Sequence, residues 1–371
     1  MTTLAEELDQ LTRAGELYES LPDGAVRCYA CGHRCLIREG RRGICQVRFN
    51  HQGNLMVPWG YVAALQADPI EKKPFFHLLP SSSALTFGML GCDFHCSYCQ
   101  NWLSSQVMRD TASDISAKYI RRVSPQGLVD FALRSGADVV ASSYNEPLIT
   151  TEWAVEIFKL AQTKGLKCIY ISNGNATPEV IDYLRPYIVG FKVDLKTMQD
   201  RQYRKLGGVL NHVLDSIKLA HKSGLWVEVV TLVVPGFNDT PEELMDTARF
   251  IASVSVDIPW HVTAFHPDYK MTDPPPTSVK TLIQAAEIGQ EAGLHYVYAG
   301  NLPGRVGEYE NTVCPNCYTP VIERSGYSIF AYRINEQGEC SKCGSRIAGV
   351  WADNPETVEL GGSGFPRFIG L

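Results

Sequence analysis

The strongest signal in this 371-residue sequence is the segment Gly91-Cys92-Asp93-Phe94-His95-Cys96-Ser97-Tyr98-Cys99-Gln100-Asn101. It follows an apolar stretch typical of a β-strand, and its cysteines are separated by three and two residues. Three thiolates at this spacing can ligate three irons of a cubane from one loop, whereas an ordinary [4Fe–4S] electron-transfer site uses four cysteines. The missing ligand predicts an open iron that can chelate the amino and carboxylate groups of a small molecule. The alternative is a zinc knuckle that uses His95, but no second histidine lies at zinc-finger spacing.

The sequence around this segment alternates strand-like and helix-like patterns. Seven short apolar stretches predict strands, at Ala84–Gly88, Asp138–Ser143, Lys167–Ser172, Gly190–Lys196, Trp226–Val234, Trp260–Phe265 and His295–Ala299. Helical spacing of apolar residues occurs between them, at Trp153–Lys164, Val213–Lys222, Glu242–Ser253 and Val279–Ala292. Strands joined by single helices imply right-handed crossovers and a parallel sheet. We therefore predict an α/β fold and favour a complete or partial (β/α) barrel over a doubly wound sheet, whose G-x-G-x-x-G opening is absent from the sequence.

The cysteines divide the chain into three predicted regions. Residues 1–80 form a cysteine-rich N-terminal region, residues 81–305 form the barrel, and residues 306–371 form a four-cysteine module with a tail. Of the twelve cysteines, only Cys168 stands outside three tight groups. Such clustering, in a chain without the features of a small secreted protein, indicates metal binding in a reducing compartment.

Composition and charge exclude several classes of protein. The formal net charge of −6 gives no overall attraction to nucleic acid or to an anionic membrane. No apolar run approaches the ~20 residues of a membrane span. The stretch from Met1 to Leu21 is acidic and amphipathic, unlike a secretory signal. We therefore expect a cytoplasmic protein with no nucleic-acid or membrane partner.

Two outer groups of cysteines each contain enough ligands to close a metal site. The C-terminal cysteine set is Cys314, Cys317, Cys340 and Cys343, and the N-terminal cysteine set is Cys28, Cys31, Cys35 and Cys45. The C-terminal set has two C-x2-C pairs separated by 22 residues, which predicts a structural Zn²⁺ ribbon, with a rubredoxin-like iron site as the alternative. The N-terminal set predicts either a second zinc site or an auxiliary [4Fe–4S] cluster; its spacing separates the two poorly and slightly favours zinc.

The central segment resembles the radical S-adenosylmethionine (SAM) superfamily. Its continuation, Cys99-Gln100-Asn101-Trp102, resembles the branch that contains pyruvate formate-lyase activating enzyme. The segment Asp68-Pro69-Ile70-Glu71-Lys72-Lys73-Pro74, together with both outer cysteine sets, is similar to the radical SAM member of the AmmeMemoRadiSam system. This resemblance covers nearly the whole chain. It implies a partial (β/α) barrel of the radical SAM type, with a [4Fe–4S] cluster and SAM as cofactors.

The same resemblance implies a group of SAM-binding positions on successive strands. The candidates are Tyr98, Asn145, Glu146, Ser172, Asn173, Asp194, Lys196, Glu228 and His261. In the resembled enzymes a Gly-Gly-Glu-type motif holds the methionyl amino group of SAM; here the corresponding stretch is Ser143-Tyr144-Asn145-Glu146-Pro147, without the glycines. Asp194 and Lys196 share one face of their strand, and the resemblance implies that Lys196 faces the methionyl carboxylate. Tyr98 is expected near the adenine, Glu228 near the ribose hydroxyls, and His261 near SAM.

The resemblance also implies the function, a radical SAM enzyme of the oxidoreductase or lyase type. Its reduced cluster would cleave SAM to a 5′-deoxyadenosyl radical, which abstracts hydrogen from a substrate that the sequence does not identify. The implied partners are an electron donor such as flavodoxin or ferredoxin and AMMECR1-like and Memo-like proteins. One alternative is an activase that acts on a glycyl-radical partner enzyme. The other is a non-catalytic scaffold that uses all three cysteine sets structurally.

Overall fold

The N-terminal region consists of short antiparallel strands in a computed structural model that describes residues 3–110, 120–361 and 367–368. The elements in chain order are α1 (Leu4–Asp9), β1 (Thr12–Ala14), β2 (Tyr18–Ser20), β3 (Val26–Cys28), β4 (Leu36–Ile37), β5 (Phe49–His51), β6 (Asn54–Pro58), β7 (Tyr61–Val62) and β8 (Ala64–Pro69). Two three-stranded sheets form, in the orders β1–β6–β5 and β2–β3–β4. The second sheet carries three of the four N-terminal cysteines, since Cys28 ends β3 and the next two lie in the turn to β4, whereas Cys45 follows in the loop to β5.

A nine-stranded sheet forms the centre of the molecule. Its parallel strands are β9 (Ser83–Gly88), β11 (Val139–Ser142), β12 (Lys167–Ser172), β13 (Gly190–Asp194), β14 (Trp226–Val233), β15 (Trp260–Ala264) and β16 (Val297–Gly300), and a short β10 (Arg121–Arg122) pairs with β7. The helices are α2 (Trp102–Ser105), α3 (Pro125–Arg134), α4 (Thr151–Thr163), α5 (Pro178–Leu184), α6 (Asp200–Leu206), α7 (Leu210–Lys222), α8 (Pro241–Val254) and α9 (Val279–Glu291).

The strand order makes this sheet an open barrel. From β16 to β9 the parallel strands are neighbours in sequence order, and β8 then continues the sheet antiparallel to β9. A last strand, β20 (Arg367–Phe368), pairs antiparallel with β8. Within the described residues, the edge strands β16 and β20 do not pair with each other. The predicted α/β architecture with a partial (β/α) barrel is therefore confirmed.

All seven predicted strands and all four predicted helices are present. Strands of a parallel sheet covered on both faces are almost wholly buried, which is why β11 is buried at every position and reads as a continuous apolar run. The Thr177 and Thr240 side chains accept the backbone N–H of Val180 (3.1 Å) and Glu243 (3.3 Å), so both act as N-caps ahead of a proline.

The N-terminal region is attached to the barrel through a buried ion pair. The Arg48 guanidinium contacts both carboxylate oxygens of Glu152 on α4, and the two side chains are 1% and 2% exposed. The same carboxylate accepts the backbone N–H groups of Glu16 and Leu17, each at 3.3 Å. One acidic residue of the barrel therefore fixes two segments of the N-terminal region.

The C-terminal module packs against the barrel through a shared apolar cluster, which includes Tyr298 of the barrel and Ile322 of the module, and through buried polar contacts. It contains β17 (Thr312–Val313), β18 (Pro320–Ser325) and β19 (Ser328–Tyr332), which form a three-stranded sheet. Arg324 is buried and donates to the carbonyl of Phe76 (2.8 Å) and to the hydroxyl of Thr312 (2.7 Å). In the part of the chain that the structure describes, no helix is long and apolar enough to cross a membrane.

Candidate active site and metal centres

The central cysteine set, Cys92, Cys96 and Cys99, lies in the loop after β9, at the C-terminal ends of the parallel strands. Barrel enzymes form their active sites at this end. The backbone N–H of Gly91 donates to the Ser104 carbonyl and that of His95 donates to the Leu206 carbonyl, both at 2.9 Å, so the loop is fixed at two points. Burial raises the pKa of the Cys96 thiol to about 12. Metal ligation would therefore have to release a proton that the free thiol keeps at neutral pH.

The C-terminal cysteine set has the spacing of a single zinc ion. The Sγ atoms of Cys314 and Cys343 lie 3.7 Å apart, as do those of Cys317 and Cys340. Tetrahedral zinc with bonds of ~2.3 Å separates its sulfurs by about 3.8 Å. Among the described residues, this is the only group of three or more Cys, His, Asp or Glu ligand atoms that all lie within 4.8 Å of one another. The donor set and its spacing thus fit Zn²⁺.

The sulfurs of the central set are spread more widely than those of the C-terminal set. The three central sulfurs do not all lie within 4.8 Å of one another, whereas the four C-terminal sulfurs do. This spacing is wider than the sulfur–sulfur distance of about 3.8 Å on one tetrahedral zinc ion. The sulfurs are therefore not gathered as in a zinc knuckle, and the donor set, three thiols in one loop, is the one that the implied iron–sulfur cluster would use.

Two buried carboxylates form a network behind the central cysteine loop. Asp93 accepts hydrogen bonds from the side-chain amides of Asn173 and Asn175, each at 2.8 Å. Glu146 accepts from the Ser172 hydroxyl (2.8 Å) and from the backbone N–H of Asn173 (2.7 Å). Burial, together with the neighbouring charge of Asp93, raises the pKa of Glu146 to about 8. The structure thus brings together three of the predicted residues and adds Asp93 and Asn175, which the sequence analysis did not single out.

The Asp-x-Lys pair at the end of β13 lies beside the central loop. Asp194 contacts Lys192 and also the Nζ of Lys196, the latter at 3.4 Å. Burial by itself would lower the pKa of Lys196, but the Asp194 carboxylate and the nearby Cys96 and Tyr98 raise it well above its usual value. Lys196 is therefore a permanent positive charge next to the central cysteine set.

Tyr98 and Asn145 have structural contacts of their own. The Tyr98 ring is buried and packs edge-on against Phe237, with the ring centroids 5.6 Å apart. The Asn145 side-chain oxygen accepts the backbone N–H of Met89 at 3.0 Å, which ties the end of β11 to the end of β9. Both residues therefore shape the mouth of the barrel.

Glu228 and His261 lie away from the central cysteine set. They stand near the N-terminal ends of β14 and β15, whereas the cysteine loop follows the C-terminal end of β9. Glu228 accepts hydrogen bonds from the backbone of Phe76 (3.0 Å) and His77 (2.9 Å), from the indole of Trp226 (2.9 Å) and from His261 (2.6 Å). The structure therefore does not bring them to the end expected from the sequence. The Glu228 carboxylate accepts from four donors, and through these hydrogen bonds Glu228 and His261 close the opposite end of the barrel.

His77, which belongs to this network, is expected to make the stability of the fold sensitive to acid. Its Nδ1 donates to the Ala348 carbonyl (2.6 Å), and its Nε2 contacts the Tyr298 hydroxyl (2.5 Å). Burial lowers the pKa of His77 from 6.5 to about 4. The unfolded chain therefore binds more protons between these two values, and stability is lost as the pH falls from about 6.5 towards 4. We expect His77→Gln to remove about 2 kcal/mol of the stability difference between pH 7 and pH 5.

Thermal unfolding of the wild type and His77→Gln at both pH values measures this difference. The wild type should lose more of its apparent Tm on acidification than the variant does. Parallel decreases in the two proteins would show that another group controls the acid response.

The sequence is similar to those of several known proteins. Residues 87–251 match the sequence profile of the radical SAM superfamily. The uncharacterised protein MJ0808 of Methanocaldococcus jannaschii is 38% identical over 340 residues, which cover 90% of this chain and 98% of that protein. Isethionate sulfite-lyase activating enzyme of Oleidesulfovibrio alaskensis is 27% identical over 137 residues, 35% of this chain and 44% of that enzyme.

Similar solved structures cover parts of the chain. A domain of pyruvate-formate lyase-activating enzyme from Bacteroides vulgatus aligns over 43% of this chain and 98% of its own, with 19% identity and a TM-score of 0.39. A radical SAM methyltransferase from Sphaerobacter thermophilus aligns over 60% of this chain and 68% of its own, with 14% identity and a TM-score of 0.45. The sequence profile begins in β9 and includes the central cysteine set, and the relative of 38% identity extends the similarity over 90% of the chain. The chain belongs to the radical SAM superfamily.

Proposed function

We propose that the chain is an enzyme whose central cysteine set holds a [4Fe–4S] cluster, with SAM chelated to the iron that lacks a cysteine. The observation that carries this proposal is the group of three widely spread thiols at the barrel mouth, with the Lys196 charge beside them. When bound and reduced, the cluster supplies the electron that cleaves SAM to methionine and a 5′-deoxyadenosyl radical.

The chain's own residues would bind and orient SAM. Lys196, held by Asp194, presents a positive charge suited to the methionyl carboxylate. Glu146 is buried with a raised pKa, so a methionyl ammonium nearby would stabilise its ionised form. Ser172 and Asn173, which both donate to Glu146, would then serve mainly to position that carboxylate.

Anaerobic SAM cleavage tests this function directly. Protein reconstituted with iron and sulfide and reduced with dithionite should convert SAM to 5′-deoxyadenosine and methionine in equal amounts. The measurement is chromatography of the products, with unreduced protein as the control. A chain with a fully loaded cluster that leaves SAM intact would contradict the proposal.

The molecule from which the 5′-deoxyadenosyl radical abstracts hydrogen is proposed separately. The likeness to isethionate sulfite-lyase activating enzyme supports a second candidate, activation of a glycyl-radical partner protein. Incubation with a candidate partner labelled with deuterium at glycine would then transfer deuterium into 5′-deoxyadenosine. Absence of transfer, with SAM cleavage intact, would direct the search to small molecules.

The proposed partners and location follow from the chemistry and the resemblance. A flavodoxin or ferredoxin would supply the electron, and AMMECR1-like and Memo-like proteins would act with the chain in the AmmeMemoRadiSam system. Twelve free cysteines in the described residues are consistent with a reducing compartment, and we propose the cytoplasm.

A further inference from the structure

In the N-terminal cysteine set, Cys28, Cys31 and Cys35 lie on β3 or in its turn to β4, and Cys45 lies in the loop from β4 to β5. The backbone N–H of Cys28 donates to the Cys35 carbonyl at 3.0 Å, which closes the turn between β3 and β4. Two donors point at sulfurs: the Arg48 guanidinium at Cys28 Sγ and the Ile44 N–H at Cys35 Sγ, both at 3.4 Å. Hydrogen bonds to sulfur are a common means by which proteins tune metal-bound thiolates.

The sulfur spacing of this set differs from that of the zinc-like C-terminal set. Although four thiols are available, no three of their sulfurs lie within 4.8 Å of one another. The C-terminal sulfurs contact each other in two pairs at 3.7 Å, and no hydrogen-bonding contact of this kind joins any two N-terminal sulfurs. Sulfurs on one tetrahedral metal would lie about 3.8 Å apart. The N-terminal sulfurs, like the central ones, are therefore not gathered at the spacing of one tetrahedral metal ion.

We infer that the N-terminal cysteine set binds a second [4Fe–4S] cluster. Four cysteines ligate all four irons of a cubane and leave none open. Such a cluster cannot chelate a substrate as the central one would, so its chemistry is electron transfer.

The structure holds the two cluster loops against each other. Gly91 has a φ of 98°, and a Cβ atom there would lie 3.3 Å from the carbonyl oxygen of Cys45, so the two loops touch at their backbones. The Arg109 guanidinium donates to the Cys92 carbonyl (2.8 Å) and also to the Ile44 carbonyl. A single side chain therefore joins the loop of the second cluster to that of the first.

Asp93 and Asn175 make a further connection between the two loops. Asn175 binds Asp93 through its side-chain amide (2.8 Å) and accepts the backbone N–H of Gly32 through its carbonyl (2.7 Å). Gly32 lies between Cys31 and Cys35 in sequence, and Asp93 follows Cys92. Hydrogen bonds through Asn175 thus link the loops of the two sites.

The outer side of the N-terminal set is accessible to a reductant. Leu36 and Ile44, which neighbour Cys35 and Cys45, are 51% and 40% exposed, and Arg38 and Arg41 are also exposed. The two clusters would then form an electron relay. In this relay, one electron from an external one-electron donor reduces the N-terminal cluster. That cluster returns to its oxidised state as it reduces the central cluster. This relay role, unlike the cluster assignment, rests on the proposed function.

Iron analysis of a variant that lacks the central ligands tests the assignment. We expect Cys92→Ala/Cys96→Ala/Cys99→Ala, reconstituted anaerobically, to retain about four irons and one zinc per chain, with the Mössbauer spectrum of a [4Fe–4S] cluster. The wild type should bind about eight irons, and so should Cys168→Ala, a matched removal of a core cysteine. A central-set variant with two zincs and no iron, or with about two irons, would overturn the assignment.

Variants of the N-terminal set provide an independent measurement should the triple variant not fold. Cys31→Ala/Cys35→Ala should retain the central cluster and lose only the second spectroscopic component. If that component persists at wild-type intensity, the assignment is wrong. Because neither measurement requires SAM cleavage, a wild type that holds both clusters but leaves SAM intact would contradict the proposed function alone.

Stopped-flow reduction by flavodoxin tests the relay. In Cys31→Ala/Cys35→Ala the fast reduction of the central cluster should be lost. Unchanged reduction would refute the relay while leaving the cluster in place.

Discussion

Cys96→Ala is expected to reduce SAM cleavage to the level of the protein-free control. Cys96 is 8% exposed and lies between the other two central ligands in sequence. With two thiolates remaining, the cubane would lose the ligation that holds it in the loop. The visible absorption of the central cluster and the production of 5′-deoxyadenosine should therefore disappear together. Chromatography of the products and the iron content per chain measure the two effects.

Cys168→Ala is the matched control for this experiment. Cys168 is 1% exposed in β12 and lies in the apolar core, so its loss tests the general effect of removing a buried thiol. It should retain cluster and activity. If Cys96→Ala kept a substantial rate of SAM cleavage with full iron content, the central set would not be the catalytic ligand set.

The fold was predictable because its signals are local. Parallel strands covered by helices are continuous apolar runs, and the threonine–proline helix starts are recognisable within four residues. Strand β8 was not predicted, since its Ala64–Pro69 sequence contains Asp68, whose side chain is paired with Lys73 in the fold. A charged residue makes a strand resemble a loop in the sequence pattern, unless the oppositely charged partner in the fold is known.

The site was predictable only in part, for a different physical reason. Alternation along a strand indicates which face a side chain occupies. It placed Asp194 and Lys196 on one face, and the two side chains contact each other. It does not indicate depth along the barrel, so Glu228 and His261 were expected near SAM although they bind the segment that closes the other end. Asp93 lies within the strongest motif, yet its partner Asn175 is 82 residues away. A single sequence does not record such pairings.

Glu152→Ala is expected to destabilise the fold strongly. The variant would leave the Arg48 guanidinium buried without its carboxylate, and the N–H groups of Glu16 and Leu17 would lose their acceptor. Breaking a buried ion pair by removing one partner costs about 3–5 kcal/mol. The apparent Tm, followed by circular dichroism, should therefore fall by roughly 6–20 °C, given about 2–4 °C per kcal/mol for large domains.

Two further variants separate the charge effect from the loss of packing. Glu152→Gln keeps nearly the same shape but leaves the Arg48 charge uncompensated, so it should be almost as destabilising as Glu152→Ala. The exposed pair Arg204–Asp200 is the control: its side chains are 62% and 50% exposed, and Arg204→Ala should cost less than about 1 kcal/mol. A Glu152→Gln variant as stable as the wild type would mean that hydrogen bonding and shape, rather than charge pairing, fix the N-terminal region to the barrel. Because Arg48 also donates to Cys28, the electrostatic account further predicts that both Glu152 variants change the metal content of the N-terminal set, while Arg204→Ala leaves it unaltered.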